Sequence, residues 1–168
     1  MRIELTRDPA DVDAAAQIWA EATAARDGSE EVAELADSRP IIQGVLDRSA
    51  RSLLMLARTE AGGLAGFAAV EPAARPAPYP AADPAQLTAQ LSYFGVSPRL
   101  WGEGTGERML RALAERLAGA GYSRAELSVY VDNARATALY ERLGWQPCGS
   151  PTPHPRTGKP EQRYQLVL

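Results

Sequence analysis

The 168-residue chain has one cysteine, one histidine and one lysine, and no long hydrophobic run. A lone Cys148 excludes an internal disulfide and a cysteine-rich zinc site, and fits a reducing compartment. The longest uninterrupted apolar stretch, Leu53 to Ala57, is far too short to span a bilayer. The opening residues MRIELTRDPAD hold no apolar core of a secretory signal. A net charge of −3, a pI near 5.3 and no block of like charge argue against nucleic acid as a partner. The expectation is a cytoplasmic protein with no metal, no membrane association and no nucleic-acid partner.

What is present is alanine, 31 residues of it, against 32 Leu, Ile, Val and Phe together. With so small a net charge this composition is globular, its helices built of alanine and leucine. The length is that of one domain able to bury about 70% of its unfolded surface without disulfide or metal. We expect a single domain over residues 1–168, in the order βααββ followed by βαβαββ.

The pattern places a strand at Arg2–Thr6 and a helix capped by Asp11 that runs to about Ala25. A polar acidic stretch follows, from Asp27 to Asp37, and Pro40 starts a second helix. Leu53–Arg58 and Leu64–Glu71 form a hairpin around Ala61-Gly62-Gly63. Five prolines between Pro72 and Pro84 mark a loop. A long strand, Gln86–Val96, leads into a glycine-rich turn and a helix over Gly104–Ala120 that turns Met109, Leu110, Leu113 and Leu117 inward. Ala125–Val131 alternates as a strand, and Asn133 or Asp132 caps a short helix that stops at Gly144. Strands near Trp145–Gly149 and Gln162–Val167 flank a second proline-rich loop.

The glycine turn carries the chemistry. In Trp101-Gly-Glu-Gly-Thr-Gly106, Gly102, Gly104 and Gly106 lack Cβ atoms, so main-chain N–H groups can come close to an anion. The helix that follows adds unpaired donors and partial positive charge, which together suit a pyrophosphate. No Gly-Lys-Ser/Thr follows, so this is not a Walker A loop. An antiparallel first half argues against a Rossmann dinucleotide site.

These residues resemble the GNAT family of acyl-CoA-dependent N-acetyltransferases. Val96-Ser97-Pro98 followed by residues 101–106 is similar to the family's strand and phosphate-binding turn, with Trp101 where Arg or Gln is commoner. Asn133 and Ala136-Thr-Ala-Leu-Tyr140-Glu-Arg-Leu-Gly144-Trp145 resemble its second signature, with Trp145 where Phe is usual. The resemblance implies an α/β (α+β) fold with a mixed, mostly antiparallel sheet of six to seven strands and helices on both faces. It also implies acetyl-CoA as cosubstrate, bound by a core of about residues 86–146. The strand 91–96 would splay from the strand 125–131 and leave a wedge for pantetheine. Backbone groups of Phe94, Gly95 and Val96 would line the pantetheine arm, and Trp101, Gly102, Glu103, Gly104, Thr105 and Gly106 would hold the pyrophosphate. Asn133 would bond the pantetheine region, and Tyr140 would act as general acid at the sulfur.

The acceptor implied is a primary amine of a small molecule or peptide, reached between the amino-terminal helices and the loops 72–84 and 150–160. Dimers are common among such folds. The alternative is a non-catalytic acyl-CoA-binding or regulatory module, which needs neither Tyr140 nor an amine slot. No base stands out. Gln90 and Ser92 suit a held water, Glu21, Glu30, Glu31 and Glu34 read as a solvated face, and His154 reads as an exposed loop residue. Trp19 reads as a core anchor and Cys148 as an inert small residue.

Overall fold

A computed structural model describes residues 1–73 and 87–168; residues 74–86, which hold most of the first proline-rich loop and Gln86 of the expected long strand, lie outside the described residues. The expected element order is observed. β1 (Arg2–Thr6), α1 (Pro9–Asp27), α2 (Leu35–Asp47), β2 (Leu53–Arg58) and β3 (Leu64–Pro72) come first. They are followed by β4 (Leu87–Val96), α3 (Thr105–Gly119), β5 (Tyr122–Tyr130), α4 (Ala134–Arg142), β6 (Gln146–Pro153) and β7 (Pro160–Val167). Seven strands make one mixed sheet in the order β1-β2-β3-β4-β5-β7-β6, with β4 and β5 parallel. Two compact units interleave along the chain: Met1–Pro72 with Leu91–Leu113, and Ala73–Gln90 with Ala114–Leu168.

In the first unit, β1, β2 and β3 form an antiparallel meander. Its hairpin closes where the Thr59 N–H donates to the Gly63 carbonyl at 2.8 Å and Gly62 takes φ +86°. α1 is capped by Asp8, not Asp11: the Asp8 side chain accepts from the Ala10 N–H at 2.8 Å, and Pro9 follows at the first helical position. Asp11 is taken instead by the Arg58 guanidinium and the Thr6 hydroxyl. α2 starts five residues before the expected Pro40, so the proline sits inside the helix. The fully buried Ser38 donates to the Glu34 carbonyl at 3.1 Å, and Arg39 pairs with Asp13 of α1 at 2.5 Å. These contacts hold the early turns despite the missing N–H of Pro40.

Both helices bury Val12, Ala15, Ala16, Ile18, Ile42, Val45 and Leu46 with Leu54, Leu56, Phe67 and Ala69 of the sheet. Alanine at 15 and 16 lets α1 lie close on its neighbours. Successive β3 residues point to opposite faces. Phe67 points toward α1, where its ring and Ile18 fill the space a Gly95 Cβ would need. Gly66 lies beneath Met109 of α3. The helices therefore cover both faces of this part of the sheet.

In the second unit, the parallel ladder takes the first residues of β4 and its last pair is Gln90↔Glu126. β7 pairs with the other side of β5, from Arg124↔Val167 to Tyr130↔Glu161. β6 is the outer strand and runs through Pro151 and Pro153, paired Thr152↔Glu161 and Pro153↔Pro160 past a shift in register. The first three residues of the second proline-rich segment are thus strand, and the expected loop narrows to residues 154–159. A sheet edge tolerates prolines, because no neighbour there needs their missing N–H.

Candidate active site

The cradle lies in the first unit. Ser97 is fixed by its N–H to the Ala65 carbonyl at 2.8 Å, and Leu100 and Trp101 turn back onto Ser97 and Pro98. The indole Nε1–H of Trp101 donates to the Val96 carbonyl at 2.9 Å. The residue that departs from the family's Arg or Gln spends its indole N–H on closing the loop onto the strand it leaves.

Gly102 and Gly104 follow at φ +84° and +74°, in the left-handed region that side chains avoid. A Cβ at either position would meet no atom within 4 Å, so their surroundings are open. The N–H groups of Gly102, Glu103, Gly104, Thr105 and Gly106 make no hydrogen bond among the described residues, and the first helical bond runs from the Arg108 N–H to the Gly104 carbonyl. Thr105, 3% exposed, roots the turn in the core, while Gly102, Glu103 and Gly104 are exposed. Five unspent donors at a positive helix end fit a diphosphate.

Phe94 is half-buried, while Gly95 and Val96 are buried. Two acidic and polar neighbours on these strands escaped the sequence reading as a set. The Ser92 hydroxyl donates to Glu71 of β3 at 2.6 Å, and Arg48 grips the same carboxylate oxygen at 2.6 Å. Ser92 is thus bonded to protein, and Glu71 is drawn in by a partner 23 residues away in sequence. Trp19 meets Tyr93 edge-on at 6.1 Å between ring centres. Glu30, Glu31 and Glu34 are exposed, and Glu21 accepts from Gln17 one turn away.

Asn133 and Tyr140 belong to the second unit, both on α4. Asn133 caps the helix, its side-chain oxygen accepting from the Ala136 N–H at 3.3 Å. Its amide N–H₂ makes no hydrogen bond within the helix cap and can meet a ligand. Tyr140 sits in the last turn, 7% exposed, its ring 5.8 Å from Trp145 and 6.4 Å from Tyr164. Tyr164 is held in turn by Glu141 at 2.9 Å. The Tyr140 hydroxyl makes no hydrogen bond among the described residues, and burial pushes its pKa upward. It keeps its proton at neutral pH.

His154 is no idle loop residue. Its Nδ1 accepts from the Arg156 and Thr157 N–H groups at 3.3 and 3.2 Å and shapes the β6–β7 turn, with the ring against Tyr130. Cys148 is buried on β6. Among the described residues, no group of three or more His, Cys, Asp or Glu is placed to hold a metal ion, and no helix is long and apolar enough to cross a membrane.

No curated protein matches the chain. Solved structures share the fold at low identity. A ribosomal-protein-alanine N-acetyltransferase from Brucella melitensis aligns at 19% identity and TM-score 0.72, over all of both chains. An acetyltransferase from Thermus thermophilus aligns at 20% and 0.70, over all of this chain and 98% of its own. The NatC complex bound to Gag peptide and CoA aligns at 13% and 0.64, over 100% of this chain and 99% of the other. Residues 12–145 match the Acetyltransferase (GNAT) family, which spans the cradle, the α4 signature and most of the sheet. The chain is a member of the GNAT acetyltransferase family.

Proposed function

We propose that the protein is an N-acetyltransferase that moves an acetyl group from acetyl-CoA to a primary amine by direct attack, the whole chain acting as one catalytic domain. The observation that carries this reading is the row of unspent N–H donors from Gly102 to Gly106 at the start of α3. Bound acetyl-CoA would supply an activated thioester carbonyl. The cradle would hold its diphosphate, and the Asn133 amide would donate to the pantetheine arm. Phe94, Gly95 and Val96 would line that arm. With the Val96 carbonyl engaged by Trp101, its N–H is the group we assign to the thioester oxygen, where negative charge grows as the amine adds.

Tyr140 would serve the sulfur. A departing thiolate needs a donor that is still protonated, and desolvation keeps this phenol so. The hydroxyl spends no hydrogen bond on the fold, so Tyr140→Phe should leave the melting temperature within the effect of about 0.5 kcal/mol. The same change should lower kcat about tenfold or more where chemistry limits turnover. Affinity for acetyl-CoA, read by calorimetry, should stay the same. Equal kcat in both proteins removes Tyr140 from the mechanism.

The function itself is tested by titrating coenzyme A into the protein and by following thiol release with a panel of amines. Saturable binding plus release supports the transferase. Binding without release from any amine leaves an acyl-CoA-binding module, and no binding at millimolar coenzyme A ends both readings.

A further inference from the structure

Glu126 was not singled out by the sequence. It lies near the middle of β5, on the face opposite the buried Ala125, Leu127 and Val129. That face is mostly polar: Arg124, Glu126, Ser128 and Tyr130 of β5 stand opposite Val167, Gln165, Arg163 and Glu161 of β7. On its other side Glu126 pairs with Gln90, the last residue of the parallel ladder. The carboxylate is half-buried yet makes no hydrogen bond or ion pair among the described residues. The guanidinium of Arg163, also half-buried, makes none either. Burial raises the Glu126 pKa, and Arg163 opposes it through space.

Glu126 and Arg163 stand at diagonal register positions on this face, where side-chain bases are roughly 7–8 Å apart, with Arg124 two residues before Glu126 and Glu161 two residues before Arg163. Glu126 and Arg163 attract without touching. Both groups are partly withdrawn from water, so a ligand that gives the carboxylate a donor and the guanidinium an acceptor gains at each. One small molecule that presents an ammonium beside a carboxylate satisfies both at once.

We propose, on the transferase reading above, that this face binds the acceptor, that the acceptor is a small amino-acid-like zwitterion, and that Glu126 takes its ammonium while Arg163 takes its carboxylate. The ammonium gives one proton to the Glu126 carboxylate. The freed nitrogen lone pair forms the N–C bond, the C–S pair leaves on sulfur, and the second N–H proton reaches that sulfur by way of the Tyr140 hydroxyl. Glu126 then releases its proton to water, so one amide, one thiol and one proton leave.

The test compares free L-amino acids with their carboxamides as acceptors for the full chain, reading kcat/KM from thiol release at saturating acetyl-CoA. The free acids should be favoured about tenfold or more. Arg163→Gln should erase that preference by lowering kcat/KM for the free acids about tenfold or more relative to the carboxamides. Glu126→Gln should lower kcat/KM for both sets about tenfold or more and remove the acidic limb of the pH profile, with coenzyme A affinity unchanged. Its melting temperature at pH 7 should equal or exceed that of the parent, because a partly desolvated charge has been removed. Carboxamides used as well as free acids, or a preference that survives Arg163→Gln, overturns the proposal. Thiol release with other amines but not amino acids sinks this inference alone; no release with any amine sinks the transferase reading as well.

Discussion

Gly104→Val should abolish measurable coenzyme A binding in calorimetry, raising Kd about 100-fold or more. Two effects add. A β-branched side chain at φ +74° is strained by roughly 1–3 kcal/mol, so the turn would relax toward negative φ and swing its N–H groups out of line. The isopropyl group would also stand in the open space beside those donors, where a diphosphate must come close. Losing two charge-assisted hydrogen bonds at about 1.5–3 kcal/mol each already exceeds a hundredfold, since about 1.4 kcal/mol is tenfold. Gly28→Val is the matched control. Gly28 ends α1 at φ +67° with equally open surroundings, so the same strain is imposed far along the chain from the cradle. It should lose comparable stability and keep coenzyme A affinity. Equal affinity in parent and Gly104→Val would show that the turn does not bind the diphosphate.

The cradle was legible because its physics is local. Strand, glycines and amphipathic helix follow one another without interruption from Leu87 to Gly119, and the α4 signature is more compact still. Element order was legible for the same reason, since hydrophobic periodicity and turn residues are read in short windows. What the sequence hid depends on distant partners. Asp8 and Asp11 both suit a helix cap by composition; only the place of Arg58, 47 residues on, decides that Asp11 is an ion-pair residue. Pro40 reads as a helix start until Ser38 and the Arg39–Asp13 pair are seen to secure the turn before it. Prolines at 151 and 153 read as loop until β6 proves to be an outer strand. Glu71 and Glu126 were two of many glutamates. Their distinction is burial and cross-strand company, and neither is written in one stretch of chain.

Gly66→Ala should be the most damaging small change in the core. A Cβ built there lies 2.7 Å from the Gly95 carbonyl oxygen and 2.7 Å from the Met109 sulfur. The thioether is unbranched and can swing aside. The carbonyl is main chain, so relief requires β3 and β4 to separate at the residue before Val96. Overpacking of this kind costs about 1–3 kcal/mol, or about 2–12 °C in melting temperature for a chain of this length. Gly63→Ala calibrates the loss of a glycine without a clash: its Cβ would sit 3.6 Å from the Thr59 hydroxyl, an ordinary contact, and stability should hold or rise slightly. Gly66→Ala with Met109→Ala separates the two contacts. Removing the sulfur leaves the carbonyl clash in place, so the double variant should recover none of the lost stability and lose more through the cavity at a fully buried position. Equal melting temperatures for Gly63→Ala and Gly66→Ala would show that the strands can part without strain. Because displacement of Gly95 also moves the Val96 N–H assigned to the thioester oxygen, Gly66→Ala should lower kcat even at temperatures where the variant is fully folded, and a kcat equal to the parent's would place that N–H outside the reaction.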